Sequence, residues 1–108
     1  MITLKTLPLS TNAMYRGGPR YLTEKAKANK EALGWELKTQ WHRKPLQGSV
    51  RLKIDLYWSD LRRHDLDNIK GLLDAFTGIL YEDDSQISYL ELSKHYDKKN
   101  PRVEIEIL

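Results

Sequence analysis

Residues 62–87 read RRHDLDNIKGLLDAFTGILYEDDSQI, and the fold and the chemistry both turn on this stretch. Ile69, Leu72, Leu73 and Phe76 recur at i, i+3, i+4 and i+7, the period of a helix with one apolar face. Gly78 follows as a natural stop. Two carboxylates, Asp65 and Asp67, precede this helix, and two more, Asp83 and Asp84, follow it. Arg62, Arg63 and His64 stand against the first pair. Acids grouped beside bases in a small basic protein point to a hard metal ion next to a polyanion. Metal-assisted cleavage of a phosphodiester needs that combination.

Outward from this block, Val50–Trp58 alternates strictly. Val50, Leu52, Ile54, Leu56 and Trp58 face one way and Arg51, Lys53, Asp55 and Tyr57 the other, as in a strand with one buried face. Residues 1–7 alternate loosely and suggest a first strand. Pro8 to Pro19 is rich in loop-forming residues. Thr23 is placed to cap a helix running to about Lys44. That helix is expected to bury Ala26, Leu33, Leu37 and Trp41 on one stripe, with Ala32 and Trp35 beside it. Pro45 and Gly48 would end it. Ile87 to His95 and Arg102 to Leu108 read as two more strands, joined by a turn over Asp97 to Pro101. The order β-α-β-α-β-β predicts an α/β (α+β) domain of two layers, a mixed sheet with two helices on one face. Its 108 residues form one domain, 1–108.

Composition limits the alternatives. The chain has no cysteine, so disulfides and thiolate zinc sites are excluded and nothing suggests secretion. No apolar run approaches the roughly 20 residues of a membrane span, and the first residues lack the pattern of a signal peptide. A cytoplasmic location is expected, with no membrane partner. No GxxxxGK[ST], HExxH or GxSxG is present, so neither a nucleotide cofactor nor a serine or zinc hydrolase is indicated. His42, His64 and His95 show no ligand spacing.

The net charge of +3 is unevenly spread. Residues 16–44 hold Arg16, Arg20, Lys25, Lys27, Lys30, Lys38, Arg43 and Lys44 against Glu24, Glu31 and Glu36, whereas residues 82–84 are all acidic. This segregation suits one part holding phosphates and another holding a metal. Any single lysine here is more simply read as the solvated face of a helix.

Each acid also has a plain structural reading. Asp67 suits a helix N-cap, while Asp65 has no such role. In extended backbone, residues i and i+2 point to the same side, so both could reach one cation. Asp83 and Asp84 could be turn residues, and adjacent side chains diverge, so one of the two is the better ligand. D-x-D also opens calcium loops, but Ile69 stands where a third ligand belongs. Lys70, three residues after Asp67, is either a surface lysine or a charge for the phosphate in the transition state.

The chain could bring the acids together. A helix from about Asn68 to Thr77 carries it about 15 Å from Asp67. Five extended residues, Ile79 to Asp83, return about 16 Å. The strand beginning near Ile87 is then expected antiparallel to Val50–Trp58. A parallel strand would set the two acid pairs at opposite ends of the sheet, with no shared site.

These residues carry a family resemblance. The 62–87 block, with DLDN, LDA and EDDSQI in order, resembles the signature of the RusA family of Holliday junction resolvases. LPLSTNAMYR and RYLTEKAKANKE are similar to that family's opening loop and helix. The resemblance covers nearly the whole chain. It implies a homodimeric, Mg²⁺-dependent endonuclease (Mn²⁺ being the alternative ion) that cuts four-way junction DNA. It carries the acidic triad to Asp65, Asp67 and Asp84, with Asp83 the weaker metal candidate. DLDN and LDA stand one residue closer than is usual in the family. Lys70 is the nearest match to its functional lysine, although Gly71 competes for the aligned place. Arg62, Arg63, His64, Arg16, Arg20, Lys27 and Lys30 are the expected DNA contacts. A four-way junction has two-fold symmetry and needs two cuts, which also argues for a C2 dimer. The rival readings are a metal-dependent nuclease for other branched or duplex DNA, and a non-catalytic junction-binding module.

Overall fold

The computed structural model describes residues 1–8, 24–60 and 69–108. In chain order it contains β1 (Ile2–Leu4), α1 (Glu24–Gln40), β2 (Val50–Trp58), α2 (Ile69–Phe76), β3 (Ile87–Tyr96) and β4 (Arg102–Ile107). One turn of 3₁₀ helix, Asp84–Gln86, leads into β3. The four strands form one mixed sheet in the order β1-β4-β2-β3. The fold is the expected α+β arrangement of a mixed sheet and two helices.

Alternation decides the inner face of the sheet. Val50, Leu52, Ile54 and Leu56 of β2 are buried, as are Val103 and Ile105 of β4 and Ile2 and Leu4 of β1. Against them pack Leu33 and Leu37 of α1 and Leu72, Ala75 and Phe76 of α2. The opposite residues of the central strands form a polar face. There the Arg102 guanidinium lies 3.8 Å from the Tyr57 ring centroid and Tyr57 stacks on His95 at 4.6 Å. Arg102 also bonds Glu104 at 2.6 Å and Asp97 at 2.8 Å, and the Arg102 hydrogen bond holds the Asp97 carboxyl below its usual pKa.

β1 is only three residues long, and side chains of α1 cover its outer edge. Gln40 accepts from the Thr3 amide at 2.9 Å and donates to the Thr3 carbonyl at 2.6 Å. The Glu36 carboxylate accepts from the amides of Lys5 at 2.7 Å and Thr6 at 3.1 Å. These bonds satisfy backbone groups that an edge strand leaves open.

Three expectations are corrected. First, α1 ends at Gln40 rather than near Lys44. Pro45 disfavours helical backbone at Lys44, and residues 42–44 offer nothing apolar to bury. Second, Trp35 is 68% exposed. It lies two residues from both Leu33 and Leu37, about 200° around the helix, so the face that buries those leucines turns Trp35 outward.

Third, β3 runs parallel to β2, not antiparallel, with Leu52 opposite Leu90 and Trp58 opposite Tyr96. The chain after α2 does not return extended. Ile79 and Leu80 both donate to the Phe76 carbonyl, and Gly78, at φ +83°, donates to Tyr81. Leu46 then donates to the Leu80 carbonyl at 2.8 Å. The turn is thereby held beside the segment that enters β2, and β3 starts alongside Val50. The result is a β-α-β crossover, which parallel neighbours require.

Gly34 faces the second helix. A Cβ there would lie 3.5 Å from Ile79 Cδ1 and 3.9 Å from the Ala75 carbonyl oxygen, ordinary contact distances. A glycine inside a helix costs about 0.8–1 kcal/mol relative to alanine. Gly34→Ala is therefore expected to stabilise the protein by roughly 0.5–1 kcal/mol, read as a thermal midpoint several degrees higher. A lower midpoint would show that the two helices have no room for a methyl group.

Candidate active site

The acidic turn is built from the end of α2 onward. The last carbonyls of a helix lack intrahelical partners. Here Thr77 donates to Asp74, and the hydroxyl of buried Tyr81 donates to the Leu73 carbonyl at 2.6 Å. Burial raises the Tyr81 pKa, and the carboxylates of Asp84, Asp74 and Asp83 raise it further, in that order. The hydroxyl keeps its proton throughout the physiological range.

Gln86 fixes the turn. Its amide oxygen accepts from the backbone amides of Glu82 at 2.8 Å and Asp83 at 2.9 Å. Its amide nitrogen donates to the carbonyls of Leu46 at 2.8 Å and Gly48 at 2.9 Å. Gln47 adds a bond to Glu82 at 2.8 Å. The carboxylates at 82–84 are thus tied to the chain entering the N-terminal end of β2. Gln86 sits in the EDDSQI piece, and its bonds to Glu82 and Asp83 are local, but its tie to Leu46 and Gly48 spans 40 and 38 residues and is not legible in sequence.

The two adjacent aspartates differ. Asp83 caps the 3₁₀ turn, its carboxylate accepting from the Ser85 amide at 3.1 Å. Hydrogen bonds from Ser85, hydroxyl first and then amide, hold its pKa below the usual carboxylate value. Asp84 is exposed, and its carboxylate enters no hydrogen bond or ion pair among the described residues. An oxygen donor of this kind suits a hard cation.

Among the expected site residues, Asp65, Asp67, Arg62, Arg63, His64, Arg16 and Arg20 lie outside the described residues. Lys70 is exposed on the first turn of α2, four residues before Asp74 and so on the same side of the helix. Lys27 and Lys30 are exposed on α1. Among the described residues no group of three His, Asp or Glu is arranged to hold a metal.

The parallel β3 removes the antiparallel return as a reason for a shared acid site. Parallel pairing is the arrangement read from the sequence as leaving no shared site; of the four acids only Asp83 and Asp84 lie among the described residues, and the helix before them, α2, is short. Its eight residues advance about 10 Å from Ile69 to Phe76. Tyr81 holds the acidic turn at Leu73, only about 6 Å along the axis from Ile69.

Gln86→Ala leaves two amides and two carbonyls without this partner and should lower stability by roughly 1–2 kcal/mol. Gln86→Glu keeps the acceptor, loses the donor and sets a carboxylate against two carbonyls, so it should be at least as damaging. Chemical denaturation measures both, and a glutamate variant as stable as the parent would contradict this account. The Asp83 cap has a lowered folded pKa, so its contribution is complete above 3.8 and is lost as pH falls through the folded value below that. Hydrogen exchange at the Ser85 amide should quicken, relative to its intrinsic rate, only in that acid range.

Comparison with known proteins joins these observations. The chain is 48% identical over 44 residues to the uncharacterized protein YqaN of Bacillus subtilis (strain 168). That match spans 40% of this chain and 30% of the relative. Residues 8–108, which contain both acid pairs, α2 and all of the sheet except β1, match the family described as Endodeoxyribonuclease RusA. The chain belongs to the RusA endodeoxyribonuclease family.

Proposed function

We propose that this chain is a Mg²⁺-dependent, structure-selective endonuclease that resolves Holliday junctions by paired symmetric nicks in DNA recombination and repair. The family match over residues 8–108 carries this reading. The exposed carboxylate of Asp84, unpaired among the described residues and on a turn braced by Gln86, supports it. In the proposal Asp65, Asp67 and Asp84 hold the metal, and Asp83 stays with its cap. Mg²⁺ bound there would lower the pKa of a water molecule and neutralise charge on the scissile phosphate, with Mn²⁺ the alternative ion. Lys70, on the first turn of α2, would stabilise charge on the phosphate or its leaving group. Arg62, Arg63, His64, Arg16, Arg20, Lys27 and Lys30 would hold the DNA backbone. The working unit would be a cytoplasmic C2 homodimer, since one acidic set per chain gives one cut.

The direct test is a synthetic four-way junction, incubated with and without Mg²⁺, with both nicks mapped. Paired nicks that need the metal are expected. Binding without cleavage would leave a junction-binding module, and nicking of duplex as readily as junction would leave a general nuclease. Asp65→Asn and Asp84→Asn should abolish nicking yet keep junction binding, because each removes a ligand and a charge that repels phosphate. Near-normal nicking by either variant would remove that residue from the mechanism. Lys70→Ala should slow single-turnover cleavage by roughly 10²–10³ with a modest loss of binding. A rate within about threefold of the parent would return Lys70 to the role of a surface lysine.

A further inference from the structure

A groove of about 700 Å³ runs between α1 and α2. Lys27, Lys30, Trp35 and Lys38 line it from α1, together with Glu31, and Asp74 lines it from α2. Trp35 is the unusual member. Its indole is 68% exposed, although burial of such a ring is worth several kcal/mol. The helix geometry explains why the fold does not bury it but not what covers it. The Lys38 ammonium lies 5.1 Å from its ring, and Lys27 lies 3.8 Å from Glu24 at the rim. An exposed indole with one ammonium over its ring and two more lysines along the same groove matches a nucleotide, offering stacking to the base and charge to the phosphates. Asp74, on the groove wall, follows Leu73, whose carbonyl accepts from the Tyr81 hydroxyl.

Within a duplex both faces of each base are already stacked. Free faces occur where strands exchange at a branch, or where bases are unpaired. We propose that Trp35 stacks on an unstacked base at the branch point, with Lys27, Lys30 and Lys38 on the flanking phosphates. Trp35 is then a residue that selects branched over linear DNA. This rests on the proposed nuclease reading and adds to it the feature of the substrate that α1 recognises.

The test uses the full chain without divalent metal, a labelled four-way junction and a linear duplex of the same length at one salt concentration. Stacking of this kind is worth roughly five- to a hundredfold in affinity. Trp35→Ala should weaken junction binding about tenfold and duplex binding less than twofold. Trp35→Phe should recover most of the loss. Junction binding should quench tryptophan emission in the parent and leave that of Trp35→Phe, which retains Trp41 and Trp58, nearly unchanged. Unchanged affinities, or equal losses on both DNAs, would overturn the proposal. So would a shift from dimer to monomer in sedimentation, which would make Trp35 a contact between two copies of this chain. If the parent itself binds neither DNA, the nuclease reading fails and this inference fails with it. A parent that prefers junctions and does not need Trp35 for that preference sinks the inference alone.

Discussion

Gln86 makes four hydrogen bonds with one amide, and the position of the acidic turn depends on them. Two hold the backbone of Glu82 and Asp83, and two hold the carbonyls of Leu46 and Gly48. Three adjacent carboxylates repel one another and would favour an open, solvated loop. Backbone bonds from a neutral side chain do not depend on those charges, so they fix the loop without neutralising it. An arginine or lysine brace would pair with the acids and lower their charge. A glutamine brace adds no counter-charge beside Asp84, which is what a metal-binding reading requires of it.

The Tyr81 hydroxyl serves the same end from the other side. It caps α2 at Leu73 while the charges of Asp84, Asp74 and Asp83 disfavour its ionisation. Because burial and those charges all oppose its ionisation, it remains a donor wherever the fold is intact. The link between helix and turn is then insensitive to pH in the range where a nuclease works. The acid-sensitive element is the Asp83 cap, whose folded pKa is lowered and which weakens only in strong acid.

Much of the fold was legible because alternation and helical period are local signals. Val50–Trp58 and Ile69–Phe76 stand close to where their patterns put them. Trp35 misled because hydrophobicity was weighed without its angle. Two residues from Leu33 and from Leu37, it could not share their face however apolar the ring. Strand direction was illegible for another reason. Counting residues bounds how far a chain can reach but not where it turns, and the turn after Phe76 is set by Leu46, some thirty residues earlier. Within the candidate site, the sequence singled out Asp83 and Asp84. The separation of duties between them could not be read there, since it depends on which carboxylate the Ser85 amide finds.

The parallel strand also changes how a shared acid site has to be argued. In the sheet's own frame, Asp84 stands by the N-terminal end of β2, while the chain leaves β2 at Trp58, some 26 Å away. A site defined by strand ends would fail over that distance. The relevant frame is α2, whose first residue follows Asp67 by two and whose fifth carries the carbonyl that Tyr81 holds. Measured along this helix, that carbonyl lies about 6 Å from Ile69. A short crossover helix can thus bring residues from two ends of a parallel pair into one neighbourhood, provided that the chain after it folds back along the helix rather than along the sheet. The bonds from Leu46, Tyr81 and Gln86 impose that fold-back.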